Sequence, residues 1–117
     1  MSNRKGGRFE RELVQFLKEN GFPHAERRAL RGADDRGDIV GIPGLVIEAK
    51  SHNRLDLPGW LDQLREEKER DGGSDGAVIA RRRNHWIGKS YFVMDAIDGI
   101  KMLRRLGYGL PLEEDDE

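Results

Sequence analysis

"GDIVGIPGLVIEAK", residues 37–50, decides how the rest of the chain is read. Two short apolar runs, 38–42 and 45–51, flank the turn signal Pro43-Gly44, which predicts a β-hairpin. Side chains alternate across a strand. Leu45, Ile47 and Ala49 therefore share one face, and Val46, Glu48 and Lys50 share the other. Ile47 and Ala49 suit a core, whereas Glu48 and Lys50 interrupt the second face. One explanation is an ion pair on a half-exposed strand, a feature contributing at most about 1 kcal/mol. The other is a site. Asp38 opens the partner strand, and a suitable register sets its carboxylate beside Glu48. Two close carboxylates repel unless a cation lies between them. Oxygen ligands of this kind suit Mg²⁺ or Mn²⁺. Lys50 would then meet an anion that the metal also binds, phosphate foremost.

The first helix carries the same anomaly. Residues 4–20 are amphipathic and are stopped by Gly21 and Pro23. At about 100° per residue, Glu10 falls between Leu17 and Val14, inside the apolar stripe of Phe9, Leu13 and Phe16. A carboxylate there is costly unless it is paired or bound to a metal. Its partner is either a core-edge arginine, Arg27 or Arg28, or the site that Glu48 suggests. Glu12, at the stripe edge, reads as a surface residue.

Outward from these segments, residues 23–29 predict a short strand and 30–37 a polar loop. A second helix, capped by Asp56 and opened by Pro58, runs to about Arg70. The break "DGGSDG" precedes a strand over 76–82, a basic turn over 83–89 and a last strand over 90–94. Asp95 then caps a third helix that Gly107 and Gly109 end. The order α-β-β-β-α-β-β-α predicts an α/β fold, a mixed central β-sheet flanked by helices. On the second helix, Gln63 flanks the Trp60–Leu64 side. Its amide is either solvated or within reach of Lys50 or an attacking water.

With 117 residues the chain predicts one domain with one core. Charged residues make up 37% of it, so the core must be lean. The absence of cysteine excludes disulfides and thiolate metal sites. His24, His52 and His85 lack metal-ligand spacing, and no phosphate-cradling glycine loop or nucleophilic triad is present. No run approaches the roughly 20 apolar residues of a membrane span, and no signal peptide is evident, so a cytoplasmic location is expected. The net charge of −1 conceals an acidic end: without Glu113 to Glu117 the balance is 21 basic residues against 17 acidic, or +4. That end, 113–117, reads as a disordered acidic tail that aids solubility. The basic residues cluster as Arg4-Lys5-Arg8, Arg27-Arg28-Arg31, Arg81-Arg82-Arg83 and Arg104-Arg105. They form either a solvated surface or a phosphate-binding one. His85 is a candidate nucleic-acid contact. Trp86 is either a stacking platform for a base or hairpin-end packing.

An Asp followed by a strand carrying Glu-x-Lys, here Asp38 and Glu48-Ala49-Lys50, resembles the PD-(D/E)XK nuclease superfamily. The opening "RKGGRFERELVQFLKENGF", with Glu10 on the helix, resembles the archaeal-type Holliday-junction resolvases, including relatives carried by phages. The likeness runs from about Arg4 to Ser51 and more weakly to about Val93. Gly37 stands where the superfamily often has Pro, and the loop "LRGADDRGD" lacks the Ser that such resolvases often carry there. A single domain is expected over residues 1–112, and the resemblance implies a restriction-endonuclease-like fold for it. The resemblance also implies Mg²⁺ dependence and a homodimer that nicks two strands of a four-way DNA junction symmetrically. Asp38, Glu48 and the Ala49 carbonyl would hold the metal, with Glu10 completing its water shell or serving a second metal. Lys50 would activate the attacking water and offset charge on the phosphate. Two alternatives accompany this expectation: a nuclease of the same fold acting on flaps, ends or duplex DNA, and a catalytically silent nucleic-acid-binding module.

Overall fold

The structure is a computed structural model that describes residues 4–28, 38–70 and 75–111, with side chains from residue 7 onward. The expected loop with Arg31, the centre of the "DGGSDG" break, the Arg4 and Lys5 side chains and the acidic end lie outside the described residues. The elements run α1 (Arg4–Glu19), β1 (Glu26–Arg27), β2 (Asp38–Val40), β3 (Leu45–Lys50), α2 (Leu57–Arg70), β4 (Asp75–Ala80), a 3₁₀ turn (Ile87–Lys89), β5 (Tyr91–Val93) and α3 (Ala96–Arg105). This is the order expected from the sequence. The strands lie side by side as β1-β2-β3-β4-β5. Only β3 and β4 are parallel; the other pairs are antiparallel. Parallel neighbours need a crossover, and α2 supplies it. The result is a mixed sheet with three helices, compatible with a restriction-endonuclease-like fold.

The first strand is shorter than the expected 23–29. The chain leaving α1 folds back first: the N–H groups of Asn20 and Phe22 donate to the Leu17 carbonyl, and Gly21 takes a φ of +102°. The Ala25 N–H then donates to Phe22, so a turn uses the residues before Glu26.

Each face of the sheet carries a helix. Phe9, Leu13 and Leu17 of α1 pack on Ile39, Ile47, Ala49 and Ile79. Trp60 and Leu64 of α2 pack on Val46, Val78 and Ala80 across the sheet. Close approach of α2 depends on Gly76, where a Cβ would stand 3.0 Å from Leu64 Cδ1. The central strand β3 is therefore covered on both faces, as strands next to a parallel neighbour usually are. This corrects the half-exposed strand considered above: Glu48 is fully buried.

Asp56 caps α2 as expected, its Oδ1 accepting the Gly59 N–H at 3.2 Å. Asp95 stands at the start of α3 but makes no capping bond. Its carboxylate instead pairs with Arg65 of α2 at 3.4 Å. A second ion pair, Lys68–Asp98 at 2.9 Å, also ties α3 to α2. Among the described residues no helix is long and apolar enough to cross a membrane.

Candidate metal centre at the end of the central strand

The hairpin register sets Asp38 of β2 directly opposite Glu48 of β3. Opposed residues point to the same face, so the two carboxylates meet on the side covered by α2. A slip of one residue would have sent Asp38 to the other face. The third member, Glu67, comes from α2. Its spacing from Trp60 and Leu64 keeps it on the buried side of that helix. One oxygen from each of Asp38, Glu48 and Glu67 lies within 4.8 Å of the others. All three residues are buried, at 2%, 0% and 3% exposure.

Such a cluster is unfavourable as three bare charges. Two unit charges about 5 Å apart repel by roughly 3 kcal/mol even at an effective dielectric constant of about 20. No donor among the described residues makes a well-aligned hydrogen bond to either carboxylate oxygen of Asp38 or Glu48. Arg28 Nε forms an ion pair with Asp38 Oδ2 at 3.1 Å, and Lys50 Nζ stands 3.8 Å from Glu48 Oε2. Burial pushes the Glu48 carboxyl up to about 10, and Glu67 and Asp38 beside it push the same way. Burial also raises Asp38, against the lowering effects of Glu48 and Arg28. Either a proton or a cation must sit among these oxygens. A small divalent cation fits the donor set, which is hard, anionic and buried. Asp38, Glu48 and Glu67 are the residues placed to hold it. The Ala49 carbonyl follows Glu48 directly, while the Ala49 side chain packs in the α1 core.

Lys50 shares the face of Glu48 at the end of the strand. Its side chain is 11% exposed, and its ammonium donates to Gln63 Oε1 of α2 at 2.9 Å. Of the positions considered for Gln63, contact with Lys50 is the one found.

Glu10 is buried on the apolar stripe of α1, as its position on the helical wheel requires, but it is not among the three clustered carboxylates. Its Oε1 accepts from Arg27 Nε at 3.0 Å. The strand register explains the choice. Arg27 pairs with Ile39 and so points to the α1 face, whereas the next residue, Arg28, points to the face of Asp38. Adjacent arginines thus serve acids on opposite sides of the sheet. Of the partners weighed for Glu10, the structure pairs it with Arg27.

The expected basic contacts divide between two places. The Arg81 N–H donates to the Lys50 carbonyl at 2.8 Å, so the turn 81–83 begins beside the end of β3. Arg83 bonds Asn53 at 3.0 Å, and Arg82 lies over the Tyr91 ring at 5.6 Å. Arg8 is exposed on α1. His85 and Trp86 sit elsewhere, over α1, in an open groove that Glu12 and Glu19 also line. The Trp86 ring meets Phe16 edge-on at 5.6 Å and remains 67% exposed. His52 packs against Trp60, with ring centroids 5.5 Å apart.

Glu67 was absent from the sequence-based candidates. Its signal was available: Trp60, Leu64 and Glu67 follow the i, i+4, i+7 spacing of a buried helix face. The run "REEKER" hides it, because Glu66 and Glu69 beside it are exposed.

Residues 1–58 match the family model described as archaeal Holliday junction resolvase (hjc). Comparison of the chain with curated proteins and with solved structures gave no significant match. The matched stretch holds α1, the β2–β3 hairpin and the positions of Glu10, Asp38, Glu48 and Lys50; Gln63 and Glu67 fall beyond it. Over residues 1–58, just under half of its length, the chain is similar to the archaeal Holliday junction resolvase family.

Proposed function

We propose that the protein is a metal-dependent endonuclease that resolves four-way DNA junctions by paired phosphodiester hydrolysis, acting as a homodimer. The family match supports a junction-resolving nuclease in general terms. The observation that carries the chemistry is the meeting of the buried carboxylates of Asp38, Glu48 and Glu67 beside Lys50. Mg²⁺ is the cofactor this donor set suits best, with Mn²⁺ an acceptable substitute. When bound, the ion lowers the pKa of a coordinated water and offsets charge on phosphate oxygens.

The chain's own groups do the rest. Asp38 and Glu48, with the Ala49 carbonyl, would hold the ion near the end of β3. Lys50 places a positive charge where the phosphate gains negative charge, and Gln63 fixes the direction of its ammonium. The same ammonium can orient the attacking water. Glu10 holds Arg27 in place through a part-buried ion pair. Arg8, Arg27 and Arg28, with the 81–83 turn, supply cations for flanking phosphates. Dimerisation is supported by the apolar residues left uncovered on β5 and α3: Phe92 at 56%, Ile97 at 60%, Ile100 at 54% and Leu103 at 45% exposure.

Labelled four-way junction, flap, single-stranded and duplex DNA are incubated with the protein in Mg²⁺ or in EDTA, beside Asp38→Asn. Paired symmetric nicks on the junction alone, lost in EDTA and in the variant, are expected. Cleavage that survives either treatment overturns the metal-site assignment. Cutting of flaps or duplexes at equal rates selects the same-fold nuclease of other specificity, and junction binding without cutting selects a silent binding module.

A further inference from the structure

Glu67 lies beyond the family match, on a helix whose exposed side was open to it. It is nevertheless buried, with its carboxylate drawn to within 4.8 Å of two others. The neighbouring Glu66 and Glu69 show the alternative, since both face solvent. Three buried acids this close need a proton or a cation among them, and a divalent cation can meet one oxygen of each at once. Glu48 points to the same need: it is fully buried and aimed into the cluster, and among the described residues neither of its oxygens is hydrogen-bonded, the Lys50 ammonium standing 3.8 Å away. Glu10, the acid that the resemblance assigns to completing the metal shell, is bonded to Arg27 on the α1 side of the sheet.

We propose that Glu67 is the third carboxylate ligand of the divalent ion held by Asp38 and Glu48, and that Glu10 is not a ligand but the anchor of Arg27. Helix α2 then serves the site twice. Gln63 holds Lys50, and Glu67, one helical turn later, holds the ion. The inference rests on the metal-dependent reading of the site. Within that reading it moves the third acid from the first helix to the crossover helix.

The test measures metal binding rather than cleavage. Mn²⁺ is titrated into the full-length protein by calorimetry and by loss of the free-ion electron paramagnetic resonance signal, without DNA. Glu67→Gln is expected to weaken Mn²⁺ at least tenfold and Glu10→Gln less than twofold. Glu67→Asp, which keeps the charge but shortens the reach, should fall between wild type and Glu67→Gln. Circular dichroism in EDTA checks that each variant is folded. If Glu67→Gln does not fold, Glu67→Asp decides alone, and wild-type affinity there overturns the assignment. Equal affinity of wild type and Glu67→Gln also overturns it, as does a larger loss for Glu10→Gln. A wild type that cuts junctions but whose Mn²⁺ affinity ignores Glu67 defeats only this inference. A wild type that binds neither Mn²⁺ nor Mg²⁺ at millimolar concentration defeats the metal-dependent reading and this inference with it.

Discussion

Replacing Glu48 by Gln should stabilise the metal-free protein at alkaline pH while destroying its metal site. In the unfolded chain Glu48 titrates near 4.5; in the folded protein burial, Glu67 and Asp38 hold it up to about 10. Between those values the folded state binds the extra proton, so its stability falls as pH rises. The favourable contribution is complete below about pH 4.5 and is lost progressively as pH approaches 10. One proton corresponds to about 1.4 kcal/mol per pH unit, so about 4 kcal/mol at most separates pH 5 from pH 8. Sharing of the proton with Asp38 and rearrangement around Arg28 reduce this, and a gain on the order of 2 kcal/mol at pH 8 is expected for Glu48→Gln. Gln keeps the shape, carries no titratable proton and leaves two acids in place of three. For a domain of this size the gain corresponds to a Tm higher by roughly 8 °C at pH 8, with little difference at pH 5. Thermal unfolding followed by circular dichroism in EDTA at pH 5, 6.5 and 8 measures it. Adding Mg²⁺ at pH 8 should raise the wild-type Tm and leave the variant unmoved. A Tm difference between variant and wild type that does not change from pH 5 to pH 8 would refute the picture of a strained carboxylate cluster.

Other outcomes follow from single contacts. Lys50→Ala should abolish cutting while largely preserving junction binding in a gel-shift assay; lost binding would make Lys50 a phosphate anchor only. Gln63→Ala removes one charge-assisted hydrogen bond, worth about 1.5 kcal/mol, so single-turnover cleavage should slow by roughly tenfold with unchanged junction affinity. Gly41 has a φ of +90°, and an added Cβ would strike the His24 carbonyl; Gly41→Ala should therefore cost more than about 2 kcal/mol in urea unfolding. Leu13→Ala empties a 1%-exposed position beneath β3 and should cost about 2–5 kcal/mol in the same assay.

The sequence by itself determined the elements and their order, because those depend on local periodicity and on Gly, Pro and Asp punctuation. The hairpin around Pro43-Gly44 and the shared face of Glu48 and Lys50 follow from alternation alone. The burial of Glu10 follows from its place on the α1 wheel. Register was not local. Only strand pairing decided that Asp38 faces Glu48, and that Arg27 and Arg28 part to opposite faces. The covering of β3 on both sides also needed tertiary structure, since it depends on where the crossover returns α2. That same crossover brings Gln63 to Lys50 and Glu67 to Asp38 and Glu48. Glu67 looks in sequence like one acid among several on a polar helix. A carboxylate becomes a ligand through the neighbours that fold around it, and those neighbours are 19 and 29 residues away along the chain.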